Sequence, residues 1–179
     1  MNHRTFNSVM HFANEKWAAE VLNMNVNPEK GPDLVDGKKV VECKFTLVHP
    51  GRYTHLCWRV LGYQADYDNE AGKEGKKAYW AFGTYALDRP LSSVQTKNLE
   101  KLEHMVQERT LMIARWDWIK QFPAYHESGK TELSEWDHEI IFPKGRLLPE
   151  TTRQYNVSKG NVYLTEGVNP GDFLINPHP

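Results

Sequence analysis

The chain has only two cysteines in 179 residues, Cys43 and Cys57. Two thiols exclude a disulfide framework, and a structural zinc would need several histidines at ligand spacing beside them. His49, His55, His126 and His138 do not fall into such a spacing. An excess of one charge is also missing. Lys and Arg number 22 against 23 Asp and Glu, a net charge of −1, with an isoelectric point near 6.7. A strongly basic domain would argue for nucleic acid by itself. Here any such contact must come from local clusters helped by bound metal ions. No apolar run is long enough to span a bilayer, and no signal-peptide pattern is present. These absences predict a soluble, cytoplasmic protein of a reducing compartment with no membrane partner. No internal repeat or low-complexity tract stands out.

What is present is an ordinary core and many aromatics. Hydrophobic residues are 40% of the chain, with six Trp and eight Tyr, and the length fits one domain or one domain with an extension. Aromatics are large core pieces that also stack on bases, and composition does not decide between these uses. From Ser8 to Met24, Phe12, Ala13, Trp17, Ala18, Val21 and Leu22 recur at helical spacing, with Asn7 or Ser8 as cap. Pro28 and Gly31 then mark a loop. Asp33-Leu34-Val35, the pair Asp36-Gly37 and a β-rich run from Lys38 to Val48 predict a hairpin, because Asp-Gly tolerates the positive φ of tight turns. Thr54 to Asp68 reads as a helix, Asn69 to Lys77 as a loop, and Ala78 to Leu87 as a buried strand weakened by Gly83. Beyond Asp88-Arg89-Pro90, Ser93 to Arg109 reads as a helix, Leu111 to Ile119 and Glu139 to Phe142 as strands, and the end from about Asn169 as a tail. The expected class is α/β, a mixed sheet flanked by helices over residues 1–90. Residues 91–179 are expected to form an α+β extension for substrate recognition or dimerisation, packed on that core as one domain.

The hairpin carries the chemistry. Side chains alternate along a strand, so Val40, Glu42 and Lys44 share one face while Cys43 and Phe45 point the other way. With Asp36-Gly37 as a two-residue loop, Val35 pairs with Lys38 and Asp33 with Val40. That puts Asp33 on the face of Glu42 and Lys44, with Glu42 its diagonal neighbour roughly 7–8 Å away. A three-residue loop would send Asp33 to the opposite face. Two buried carboxylates repel unless a cation joins them. Mg²⁺ prefers oxygen ligands and keeps some waters. It can hold a phosphate oxygen and activate water, and a lysine beside it can orient that water. These parts suit phosphodiester hydrolysis. The plain alternative is a turn aspartate and a same-face charged pair on a half-solvated strand. The apolar flanks Val40, Val41, Phe45 and Leu47 argue against it, since they make the strand central.

Gly31-Pro32-Asp33-Leu34-Val35, followed after a short turn by Val41-Glu42-Cys43-Lys44, resembles the signature of the PD-(D/E)XK nuclease superfamily, which includes restriction endonucleases and Holliday-junction resolvases. The motif is short. An acid-bearing helix before it, a polar helix after it and an apolar strand beyond agree with it, and the resemblance covers roughly Ser8 to Leu87. It implies a restriction-endonuclease-like core, with Asp33 and Glu42 holding Mg²⁺ (Mn²⁺ as substitute), the Cys43 carbonyl as a further ligand, and Lys44 positioning water. A glutamate of the first helix would join them, with Glu15 the first choice and Glu20 the alternative. Arg59 and Gln64 are polar groups of the kind the family often aims at the site.

Arg52, Lys38, Lys39 and the Lys73-Lys76-Lys77 group are weaker candidates for phosphate contact. His49 and His55 flank the glycine turn after the motif strand. Trp116 and Trp118 share an expected strand face with Met112 and Ala114, a stripe more often core than a stacking platform. The reading is a Mg²⁺-dependent endonuclease acting on DNA, with a homodimer suggested by analogy. Its rivals are a non-catalytic nucleic-acid-binding or assembly protein on the same scaffold, a nuclease subunit of a larger complex, and an unrelated α/β protein with an accidental motif.

Overall fold

The structure, a computed structural model, describes residues 3–48, 55–122, 124–125, 137–143, 153–157 and 160–173, with side-chain surroundings for 5–48, 58–122 and 162–173. It opens with helix α1 (His3–Leu22). Phe6 and Met10 are fully buried along with Ala18 and Leu22, so the apolar stripe begins earlier than the expected start at Ser8. Asn23 stops the helix in the left-handed region at φ 53, and the Met24 N–H donates to the Ala19 carbonyl at 2.9 Å. This is a Schellman closure, with asparagine where glycine is commoner.

Next come β1 (Asn25–Val26), β2 (Leu34–Val35), β3 (Lys39–Val48), β4 (His55–Val60), a 3-10 turn (Gly62–Ala65), α2 (Asp66–Lys73) and β5 (Lys77–Leu87). A short 3-10 turn (Leu91–Ser93) leads to α3 (Leu99–Met105), β6 (Val106–Ala114), α4 (Trp116–Ile119), β7 (Ala124–Tyr125), β8 (Asp137–Pro143), β9 (Arg153–Val157), β10 (Gly160–Leu164) and a 3-10 turn (Pro170–Phe173). Seven strands form a mixed sheet in the order β1-β2-β3-β5-β6-β10-β9. β3 and β5 run parallel, as do β6 and β10, and the other pairs are antiparallel. β4, β8 and β7 form a separate antiparallel sheet. The protein is therefore α/β, an open mixed sheet flanked by helices, and β6 and β10 continue the sheet past Pro90.

Several local expectations need correction. Thr54 to Asp68 is not one helix. His55–Val60 is strand β4, in which Trp58 and Val60 are buried and Arg59 is exposed, a period of two that requires a partner strand, β8, to form. The helix after it is α2, which takes residues expected in a loop. Likewise Ser93 to Arg109 yields only seven helical residues, capped by the Asn98 side chain accepting the Lys101 N–H at 3.1 Å. Val106 already belongs to β6, drawn out by pairing with β5. Trp116 and Trp118 lie in α4 rather than on a strand, and both pack into the core. The expected tail includes Phe173, which is buried edge-on against Tyr79 with ring centroids 4.8 Å apart.

The sheet's two faces set up the site. Val41, Cys43 and Phe45 face α1 with Ala18 and Leu22. Val40, Trp80 and Phe82 face the other way, against Trp58 and Val60 of β4, Ala71 of α2 and Trp118 of α4. Gly83 is opposite Phe45 in the β3–β5 register, and a Cβ there would lie 2.2 Å from the Phe45 ring. The glycine makes room for that ring.

Candidate active site

The hairpin closes by two residues more than Asp36-Gly37 predicts. Leu34 pairs with Val41 and Val35 with Val40. Gly37 and Lys38 form the turn, and the Asp36 N–H donates to the Lys39 carbonyl at 3.0 Å. Asp36 sets this register, because its Oδ1 accepts the N–H groups of Lys38 and Lys39 at 2.7 and 2.8 Å. Gly37 does not adopt a positive φ. A shift of two preserves the face of every side chain, so Asp33 is directly opposite Glu42 instead of diagonal to it.

β2 begins only after Asp33, and that late start creates the site. Pro32 has no N–H, so it cannot donate to the Cys43 carbonyl at the next rung. Its own carbonyl accepts from Asn27 Nδ2 at 2.9 Å, and Gly31 turns the chain at φ +128, a conformation glycine allows. In place of the missing rung, Asp33 Oδ2 accepts the Cys43 N–H at 2.7 Å. The Asp33 carbonyl accepts the Asn27 N–H at 2.7 Å, which fixes the residue against β1. The Cys43 carbonyl points to this same open edge by strand alternation.

Glu42, 5% exposed, is inside. Its Oε1 accepts from Lys44 Nζ at 2.8 Å and from Gln64 Nε2 at 2.6 Å. Gln64 comes from the 3-10 turn, where its Oε1 also accepts the Leu61 N–H at 3.0 Å, so both ends of the amide are committed. Glu42 Oε2 is buried with no hydrogen-bond partner among the described residues. Glu15 is buried on α1, and His11 Nε2, one turn earlier, lies 2.8 Å from its Oε1. That contact is close in distance, but the oxygen has no aligned hydrogen bond.

The electrostatics follow from burial. Desolvation, then the Glu42 charge, push the Asp33 carboxyl up to about 7, against the pull of the Cys43 N–H, and Glu15 adds to the rise. Burial also raises Glu42, with Lys44 opposing and Glu15 adding. His11 is raised by its contact with Glu15. Three carboxylates thus lie close enough to act on one another, with one lysine bonded to Glu42.

Asp33, Glu42, Lys44, Gln64 and Glu15 come together here, whereas Glu20 is exposed and lines a different groove, with Phe12 and Leu99. Lys39 is 8% exposed, its ammonium on Asp36 and 5.2 Å over the Phe173 ring. Lys38 is exposed in the turn and Arg59 on β4. Arg52 and His49 lie outside the described residues, as does the His55 side chain. Sequence reasoning missed His11 and Tyr67. The signal for the first was its position four residues before Glu15, and for the second its position three after Gln64.

Among the described residues, no group of three or more His, Cys, Asp or Glu side chains is placed to hold a metal ion, and no helix is long and apolar enough to cross a membrane. No family model matches the chain, and no curated protein matches it.

Proposed function

We propose that this chain is a Mg²⁺-dependent DNA endonuclease with a restriction-endonuclease-like core, cutting at Asp33, Glu42 and Lys44. The observation that carries the reading is Glu42 Oε2, a buried carboxylate oxygen without a hydrogen-bond partner among the described residues, opposite the raised carboxyl of Asp33. A native protein rarely strands such an oxygen unless a ligand completes it. Mg²⁺ fits this donor set, since it takes one or two carboxylates plus water and substrate oxygens and needs no all-protein cage. Asp33 and Glu42 would hold it, the Cys43 carbonyl would add a neutral donor, and Glu15 would approach from α1. Bound there, the cation would supply charge stabilisation for the phosphate and lower the cost of deprotonating water.

The chain's own groups divide the remaining work. The Lys44 ammonium is donor-only, so it orients water or a phosphate oxygen and offsets the charge that builds there. Gln64 holds Glu42 in one rotamer by its 2.6 Å bond. His11 holds Glu15. Water attacks phosphorus, the bond to the leaving oxygen breaks, and that oxygen takes up a proton.

The test is cleavage of supercoiled and branched DNA in Mg²⁺, Mn²⁺ and EDTA by the wild type, Asp33→Asn and Lys44→Ala. Metal-dependent cutting abolished in both variants, with folding intact, supports the reading. DNA binding without cutting in any metal would favour the non-catalytic alternative. Cutting that survives both substitutions would place the activity elsewhere.

A further inference from the structure

Among the described residues, Phe12, Tyr63 and Leu99 are the large apolar side chains left exposed. Phe12 and Leu99 line one groove between α1 and α3. Tyr63 stands apart, 59% exposed, immediately before Gln64, whose amide is bonded to Glu42. Tyr67, four residues on, meets Tyr63 edge-on, with ring centroids 6.4 Å apart and planes at 80°. Tyr67 packs partly into the core beside Ala71 and Trp58, so it is a fixed support for the outer ring. Burial first, then the charge of Glu42, hold its phenol above the ordinary value, and Asp33 contributes as well. Tyr63 thus stands on the turn whose Gln64 is bonded to Glu42, with Tyr67 against its edge.

A bare tyrosine face beside a phosphodiester site suits one chemistry well. Every base has a π-face, and an aromatic ring stacks on it without reading its sequence. In a duplex those faces are taken up by neighbouring base pairs, and proteins meet only the edges in the grooves. A ring of this kind gains most from a base that has left the stack. We propose that Tyr63 stacks on an unpaired base next to the scissile phosphate, so that the substrate is single-stranded DNA or DNA with unpaired nucleotides at the cut. This rests on the nuclease reading and narrows its substrate.

The experiment measures binding with Ca²⁺ in place of Mg²⁺, by fluorescence anisotropy of a short mixed-sequence single strand and of the same sequence as blunt duplex. Wild type, Tyr63→Ala and Tyr63→Trp are compared, with cleavage of both DNAs in Mg²⁺ followed alongside. The expected result is tighter binding of the single strand by the wild type. Tyr63→Ala should weaken it by roughly 5- to 150-fold, the affinity equivalent of one lost base–aromatic stack, and leave duplex binding nearly unchanged. Tyr63→Trp should retain the preference. Equal single-strand binding by Tyr63→Ala, a preference for duplex, or no DNA binding would overturn the inference. Tyr63-dependent single-strand binding without cleavage in Mg²⁺ would uphold the stack and sink the nuclease reading. Cleavage of duplex in preference to the single strand, with neither affected by Tyr63→Ala, would do the reverse.

Discussion

Asp33 Oδ2 accepts the backbone N–H of Cys43 at 2.7 Å, where the β2–β3 ladder would otherwise continue. One carboxylate thus completes the sheet edge and faces the candidate site. Its two roles separate by substitution. Asp33→Asn keeps an acceptor for Cys43 and should fold at least as stably as the wild type while losing metal-dependent cleavage. Asp33→Ala leaves that N–H without its partner and should cost about 1–3 kcal/mol as well. Urea unfolding beside a cleavage assay checks this. Equal stability of the two variants would contradict it.

The raised carboxyl of Asp33 makes stability depend on pH in a stated direction. Its ordinary value is 3.8 and burial with Glu42 brings it to about 7. A group raised on folding favours the folded state fully below the lower value, and that contribution is lost as pH rises through the upper one. Glu42 is raised too, so it acts in the same sense. In EDTA the protein should therefore lose stability between about pH 4 and pH 7 from these groups. Asp33→Asn should flatten this slope and stabilise the metal-free protein at pH 8 by roughly 1–3 kcal/mol. Because a cation favours the ionised carboxylates, added Mg²⁺ should raise the melting temperature more at pH 8 than at pH 5. Melting curves that ignore both pH and Mg²⁺ would refute the shared acidic site.

Gln64 joins the 3-10 turn to Glu42 through both ends of its amide. Gln64→Ala should destabilise by about 1–3 kcal/mol, since the Leu61 N–H and Glu42 Oε1 each lose a partner. Gln64→Glu keeps an acceptor for Leu61 but sets a fourth carboxylate beside Glu42. It should raise the Mg²⁺ concentration needed for cleavage, read from a Mg²⁺ titration. An unchanged Mg²⁺ requirement would show that Gln64 does not act on Glu42.

Gly83→Ala tests the packing behind the site. The added carbon would lie 2.2 Å from the Phe45 ring, so Phe45 or the β3–β5 pairing must move. Overpacking of this kind costs typically about 1–3 kcal/mol. Phe45→Leu in the same chain should recover part of the loss, a coupling that a double-mutant cycle measures. Additive effects would mean the ring relaxes freely.

Much of the site was legible because strand alternation is a local rule. Glu42 and Lys44 share a face by spacing alone. Asp33 joins them in either register, since the observed hairpin differs from the expected one by two residues. The turn differs from the Asp-Gly pattern because Asp36 acts through its side chain, accepting two N–H groups, and Gly37 takes no positive φ. The stretch from Thr54 to Asp68 went wrong for another reason. Leu56, Val60, Leu61 and Tyr63 fit a helical stripe as well as a strand, and only pairing with β8, some eighty residues away, chooses the strand. α3 is cut short at its end in the same way, because β6 starts at Val106 to pair with β5.

By itself the sequence determined the alternation of β3, the loss of a ladder donor at Pro32, the flexibility at Gly31 and the buried character of β5. Each follows from the chemistry of one residue or from a period of two. Tertiary structure decided which helix glutamate is buried beside Asp33, that Gln64 meets Glu42, and that Tyr63 is left bare. Those outcomes depend on how α1 and the 3-10 turn pack from opposite faces onto the open edge of β3. No local propensity encodes that packing, because its free energy comes from contacts between residues far apart in the chain.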